Sequence, residues 1–345
     1  MVAASAWLLA ILLLTTACSS HPTDPHPSDP SPAATPPAAT VYPRPTASRK
    51  PGAKPITPEG RLPAAPWRGL TVDSLEDVAQ TVAAIKDLGR RPTVRIVFDP
   101  GTTPQQYSSL VTQLAPHADL MGQLVDSTAL ARTTGTVATD RAEAFVRAFQ
   151  TQVTMWEVGN ELNGEWVGTD PASIGAKTLA MHTVVKRYGL ASVITLNYWA
   201  GPHCYAQPWE ATLPFARQLP RALSSTVDAV LLSIYETSCD PIQRPSAEQV
   251  ATILRELGSI FPRAELGIGE VGAQGIEDGK ATNPSRATKE QIARRYYGMH
   301  SQLKTLVGPR FVGGYFWWYF VDDAVPRHRP DSLWPTLNEL LTALS

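Results

Sequence analysis

The chain has 345 residues, with 30 Lys plus Arg against 31 Asp plus Glu, three cysteines, 31 prolines and nine tryptophans. A net charge of −1 lacks the basic footprint that phosphate neutralisation requires, which argues against nucleic acid as a partner. Fourteen prolines fall in residues 21–66 and the other 17 in the 279 residues after them, so the chain divides into a head (1–18), a stalk (19–66) and one body (67–345) long enough for a full core.

The head runs Leu8-Leu9-Ala10-Ile11-Leu12-Leu13-Leu14 into Thr15-Thr16-Ala17-Cys18. Its apolar stretch is shorter than the roughly 20 residues of a membrane-spanning helix and suits the h-region of an export signal. Leu14-Thr15-Thr16-Ala17-Cys18 resembles a bacterial lipobox, which implies lipidation of Cys18 as the first residue of a mature lipoprotein. Thr15 stands where that pattern prefers Leu or Val, and the head carries no Lys or Arg; the alternative is an ordinary cleaved signal peptide with an incidental Cys18. The stalk lacks apolar periodicity, and its Pro, Ala, Ser and Thr predict a disordered tether with extended polyproline stretches. No other span is apolar for long enough to cross a bilayer, so membrane attachment is expected only through the lipid at Cys18, with the body extracellular or at the cell surface.

From Trp67 onward, short β-branched runs alternate with longer amphipathic ones. The expected strands are 69–72, 93–98, 119–125, 153–158, 192–197, 228–234, 264–269 and 312–318. Between them, Asp73-Ser74 precedes Leu75, Val78, Val82 and Ile85; Asp140 opens the run through Phe145, Val146 and Phe149; Pro171 stands early in 171–187; Ser246 precedes Val250, Ile253 and Leu257; a last helix covers 334–344. Eight such units average about 35 residues, the length of a βαβ crossover. The alternation predicts an α/β fold, and the count of eight, with no Gly-x-Gly-x-x-Gly after the first strand, favours a closed (β/α)8 TIM barrel over an open doubly wound sheet.

A barrel places its catalytic groups at the C-terminal ends of its strands. The fourth expected strand ends Trp156-Glu157-Val158-Gly159-Asn160-Glu161, and the seventh ends Ile268-Gly269-Glu270-Val271-Gly272. Glu161 and Glu270 therefore share one rim. Two such carboxyls flanking a sugar catalyse glycoside hydrolysis, retaining at about 5–5.5 Å separation and inverting at about 6.5–9.5 Å. The competing reading of each Glu is a helix cap or a partner for an Arg.

These two stretches resemble the fourth- and seventh-strand signatures of the clan of (β/α)8 retaining glycoside hydrolases, which includes cellulase-type endoglucanases, β-xylosidases, arabinofuranosidases and heparanase-like glucuronidases. The resemblance covers strand order over nearly all of 67–345. It implies that Glu161 is the acid/base, that Asn160 binds the substrate 2-hydroxyl and that Glu270 is the nucleophile. Many clan members have Pro after the Asn-Glu pair where this chain has Leu162, a variant closer to arabinofuranosidase-type sequences, so the subfamily is left unassigned.

The resemblance also implies that Tyr235, ending the sixth strand, hydrogen-bonds the nucleophile, and that Arg95, inside the second strand, holds the same carboxylate. A buried Tyr with a satisfied hydroxyl and a structural ion pair are the respective alternatives. The resemblance implies Trp318 as the platform beneath the sugar, while side-chain alternation along a strand makes Trp317 its rival for the inward face. Asn197 and Trp199, at the end of the fifth strand, are further candidates for substrate binding. Cys204 and Cys239 follow the fifth and sixth strands, so their loops are neighbours; export favours a disulfide between them over two free thiols. The histidines His117, His182, His203, His300 and His328 lack ligand spacing, so neither a metal nor a cofactor is expected.

The expectation is thus an exported, lipid-tethered, monomeric retaining glycosidase acting on a carbohydrate. A catalytically silent carbohydrate-binding surface lipoprotein on the same barrel is the alternative.

Overall fold

The structure, a computed structural model, describes residues 62–277 and 280–345. The head, Cys18 and the stalk as far as residue 61 lie outside the described residues. Eight parallel strands close into a barrel: β1 (Trp67–Val72), β2 (Thr93–Val97), β3 (Asp119–Gln123), β4 (Val153–Gly159), β5 (Ala191–Asn197), β6 (Ala229–Ile234), β7 (Glu265–Val271) and β8 (Phe311–Trp317). Around the barrel they run β1-β8-β7-β6-β5-β4-β3-β2. Each expected strand is present. Nearly every strand residue is buried, as both faces of a parallel sheet must be when side chains fill the inside and helices cover the outside.

Trp67, Met121, Met155, Val193, Leu231 and Phe316 fill the interior toward the N-terminal end of the barrel. Leu62 packs against this floor, and Trp67 Nε1 donates to Pro63 O at 2.9 Å, so the last residues assigned to the stalk already belong to the barrel. The outer core lies between strands and helices and takes Ile96, Phe98, Phe145, Trp156, Ile268 and Tyr315 among others.

Helix starts follow their caps where a side chain is free to accept. Asp170 Oδ1 accepts from Ser173 N at 2.8 Å ahead of Pro171–Arg187, and Ser246 and Gln249 form a capping box ahead of Ala247–Ile260. Two expectations shift. Asp140 lies inside the helix Gly135–Phe149, which Thr134 caps, because the apolar stripe of Ala142, Phe145, Val146 and Phe149 extends back to Ala138. The first helix begins at Val78, after Asp77 at φ 49°, so Asp73 and Ser74 stay in the loop.

Two irregularities in the barrel decide which residues face inward. Along β6 and β7 the pairing shifts from Leu232–Ile268 to Ser233–Glu270. Ile268 and Val271 join the outer core, whereas a Cβ on Gly269 would lie 2.7 Å from Thr195 and 2.9 Å from Leu231 in the interior. Gly269 and Glu270 thus face the same way, as a bulge allows, and only glycine fits the first position. In β8, Gly313 and Gly314 have φ of 80° and 105°, and a Cβ on Gly314 would collide with Ile268 O.

Candidate active site

A cavity of about 230 Å³ opens at the C-terminal ends of the strands. Asn160, Glu161, Asn197, Tyr235, Glu270 and Trp318 line it, joined by Asp126, Ser127, Thr128, Trp166, Ser238 and Gln274. Six sequence-derived candidates, from the C-terminal ends of β4, β5, β6, β7 and β8, therefore meet in one place.

Glu270 is held from three directions. Arg95 Nη1 donates to its Oε1 at 2.6 Å, Asn160 Nδ2 donates to the same oxygen at 2.6 Å, and Tyr235 Oη donates to Oε2 at 3.1 Å. The Asn160 amide is oriented by Ser127 N, which donates to its Oδ1 at 3.3 Å. Arg95 itself is wholly buried and shared, because its Nη2 donates to Glu157 Oε1 at 3.1 Å and to Gly269 O at 2.9 Å, and its Nε lies 3.1 Å from Glu157 Oε2. Above the guanidinium lie the rings of Phe316 at 5.0 Å and Trp318 at 5.8 Å.

Glu161 has a different environment. Its backbone sits in the left-handed region at φ 46°, which disfavours a non-glycine residue by about 1–3 kcal/mol. The turn is anchored by Leu162, fully buried, whose N donates to Thr195 O at 3.2 Å, and by Gly164 N, which donates to Glu161 O at 2.8 Å. A Pro at position 162 would lack that first bond. A Cβ on Gly159 would strike the Leu162 side chain, so glycine there gives Leu162 its seat. Among the described residues, the only side chain bonded to the Glu161 carboxyl is Ser233, whose Oγ donates to Oε1 at 2.5 Å.

These surroundings separate the two carboxyls. Burial pushes Glu161 well above the ordinary carboxylate range, the nearby Glu270 charge pushes it further, and the Ser233 hydroxyl opposes them without cancelling the rise. Burial also raises Glu270, and Arg95, Asn160 and Tyr235 offset only part of that, so it too lies above the ordinary carboxylate range, though less far than Glu161. Of one proton shared between them, Glu161 is the better holder. Tyr235 is raised by burial and by Glu270, and stays a donor. Glu157, entirely buried, is pushed by burial up to about 7 despite Arg95.

The structure places some candidates elsewhere. Trp317 is fully buried in the outer core, and its Nε1 donates to Asp323 Oδ2 at 2.8 Å; with β8 kinked at Gly313 and Gly314, it is Trp318 that turns to the cavity. Trp199 stands behind the cavity wall in a buried cluster with Cys204 and Cys239, which are joined in a disulfide. Asn197 lines the cavity while its Nδ2 donates to Glu161 O at 3.3 Å. Glu157 and Ser233, absent from the sequence-derived set, belong here, and so does Trp166. Polar side chains two residues before Gly159 and Tyr235, within otherwise apolar strands, were the available signal for the first two. Among the described residues no cluster of His, Cys, Asp and Glu is arranged to hold a metal ion.

No protein-family model matches the sequence, and no curated protein matches it. Solved structures do match in fold. A GH5_18 protein from Streptomyces cattleya in complex with GlcNAc shares 13% identity over 81% of this chain and 80% of its own, with a TM-score of 0.56. A GH5-4 broad specificity endoglucanase from an uncultured bacterium shares 12% identity over 80% of this chain and 94% of its own, with a TM-score of 0.52. A GH10 xylanase from Thermobacillus composti shares 13% identity over 80% of this chain and 97% of its own, also at 0.52. The body is a TIM barrel, and in fold it resembles the (β/α)8-barrel glycoside hydrolases.

Proposed function

We propose that the protein is a retaining glycoside hydrolase in which Glu270 is the nucleophile and Glu161 the acid/base. One observation carries this reading: two glutamates from β4 and β7 face one cavity, one held charged by Arg95, Asn160 and Tyr235, the other left to hold a proton beside a single hydroxyl. In the first step a Glu270 oxygen bonds to the anomeric carbon as the glycosidic C–O bond breaks, and the Glu161 proton passes to the departing oxygen. In the second, Glu161 takes a proton from water, whose oxygen replaces Glu270 at the same carbon. Arg95 and Tyr235 keep Glu270 ionised and aimed, and Trp318 offers an apolar ring to a sugar face.

The substrate class is a neutral oligo- or polysaccharide, in keeping with an aromatic-walled cleft and a near-neutral chain, and the setting is the cell surface, with lipidated Cys18 and the proline-rich stalk as tether. The test is hydrolysis of 4-nitrophenyl glycosides and β-linked glucans and xylans by the wild type, Glu161→Gln and Glu270→Gln. Both variants should lose at least about a thousandfold in kcat/KM on glycans, and azide should restore Glu270→Gly turnover with inverted product. Undiminished hydrolysis by both variants would sink the assignment, and saccharide binding without any wild-type turnover would make the protein a silent binding module.

A further inference from the structure

The cavity has a second aromatic wall that the reaction centre leaves unused. Trp166 lines it and is 38% exposed, the only aromatic among the exposed large hydrophobic side chains of the described residues. Its position is built. A Cβ on Gly164 would lie 2.8 Å from the indole Cε2 and Cζ2, so bare backbone seats the ring. Trp199 meets it edge-on, with centroids 5.8 Å apart and planes at 80°. Trp199 in turn packs against the Cys204–Cys239 disulfide, and its Nε1 donates to Ser238 Oγ at 3.4 Å, tying the loops after β5 and β6 behind the platform.

The placement fits one role. Trp318 follows β8 and Trp166 follows β4; these strands lie opposite each other in the closed order, so the two indoles occupy opposite walls. Glu161 is on the β4 side, and an acid must reach the oxygen that joins the sugar under attack to its leaving group. The leaving group therefore extends toward Trp166, whose open ring suits the C–H face of a pyranose.

We infer that Trp166 is the platform for a leaving-group sugar, positioned by Gly164, Trp199 and the disulfide-linked loops, so the substrate is a saccharide linked to a further saccharide and not a glycoside of a small aglycone. This rests on the glycosidase reading above. The test compares kcat/KM on cellotetraose and xylotetraose with that on β-cellobiosyl and β-xylobiosyl fluoride, whose leaving group has no ring, for the wild type, Trp166→Ala, Trp166→Phe and Gly164→Ala. Tetrasaccharide binding is measured by calorimetry in the Glu161→Gln background.

Trp166→Ala should lose about tenfold or more on the tetrasaccharide beyond its loss on the matching fluoride, and weaken tetrasaccharide binding by a similar factor. Trp166→Phe should recover most of this, and Gly164→Ala, which displaces the ring without removing it, should resemble Trp166→Ala. Equal losses on both substrates in Trp166→Ala and Gly164→Ala overturn the platform and leave the hydrolase standing. Trp166-dependent binding without turnover of any substrate overturns the hydrolase and with it the leaving-group role, whereas hydrolysis of the fluorides with no binding or turnover of either tetrasaccharide overturns the platform alone.

Discussion

Asn160 Nδ2 lies 2.6 Å from Glu270 Oε1, so the residue next to one cavity glutamate is bonded to the other. That bond spans β4 and β7 across the barrel and makes the spacing of the two carboxyls a property of both strands. Asn160→Ala removes a donor aimed at the charged carboxylate and should lower kcat/KM by about 10²–10³-fold. Stability should fall by only about 1–2 kcal/mol, read from urea melts, since one buried hydrogen-bonding side chain is lost.

The pH dependence of kcat/KM should be bell-shaped, with activity lost at low pH as Glu270 is protonated and at high pH as Glu161 loses its proton. Because burial and the Glu270 charge raise Glu161, the alkaline limb should lie above the ordinary carboxylate range. With substrates whose leaving groups need no proton, Glu161→Gln should flatten that limb. Survival of the limb in the variant would assign it to another group.

Arg95 neutralises two buried carboxylates, Glu157 and Glu270. Arg95→Leu leaves both without a counter-charge and should destabilise the fold by about 3–5 kcal/mol. In a Glu157→Gln background one of the stranded charges is already gone, so the same substitution should cost less, with a coupling of about 0.5–3 kcal/mol in a double-mutant cycle of chemical denaturation. Additive losses would show that the two residues do not act on each other.

His182 is buried between Ser192 Oγ and Thr226 Oγ1, each 2.9 Å from a ring nitrogen, and burial lowers it from 6.5 to about 4. A depressed histidine gives stability that is present above the unfolded value of 6.5 and lost as pH falls toward 4, because the unfolded chain takes up the proton first. Roughly 3 kcal/mol should disappear across that window, and His182→Gln should show a flatter dependence of Tm on pH over the same range.

The Cys204–Cys239 disulfide closes a separation of 35 residues. By loop-closure entropy, Cys204→Ser with Cys239→Ser should lower stability by about 3–4 kcal/mol, measured by urea unfolding. An unchanged midpoint would mean that the loops after β5 and β6 are ordered without it.

Much of this architecture can be read from local pattern. Each barrel strand is a short run of β-branched or apolar residues bounded by polar or turn-forming ones, and each helix that begins at Asp170 or Ser246 has a side chain able to satisfy its own first backbone donors. Asp140 misleads because an acceptor inside a helix looks the same in sequence as one that caps it, and only the backward continuation of the stripe to Ala138 tells them apart.

The amino-acid sequence alone determined eight strand–helix repeats and a glutamate at the C-terminal end of the fourth and of the seventh strand, because periodicity and strand ends are properties of neighbouring residues. The tertiary structure decided which side chains face the cavity. The irregularity at Gly313–Gly314 and the bulge at Gly269–Glu270 change the facing of the residues beyond them, and at Gly269 and Gly314 a neighbouring strand leaves no room for a Cβ, so only glycine is accommodated. Trp318 therefore reaches the cavity while Trp317 is buried behind it, Trp199 supports Trp166 from behind, and Glu157 shares Arg95 with Glu270. Those relationships join residues from different strands, and packing between the strands creates them.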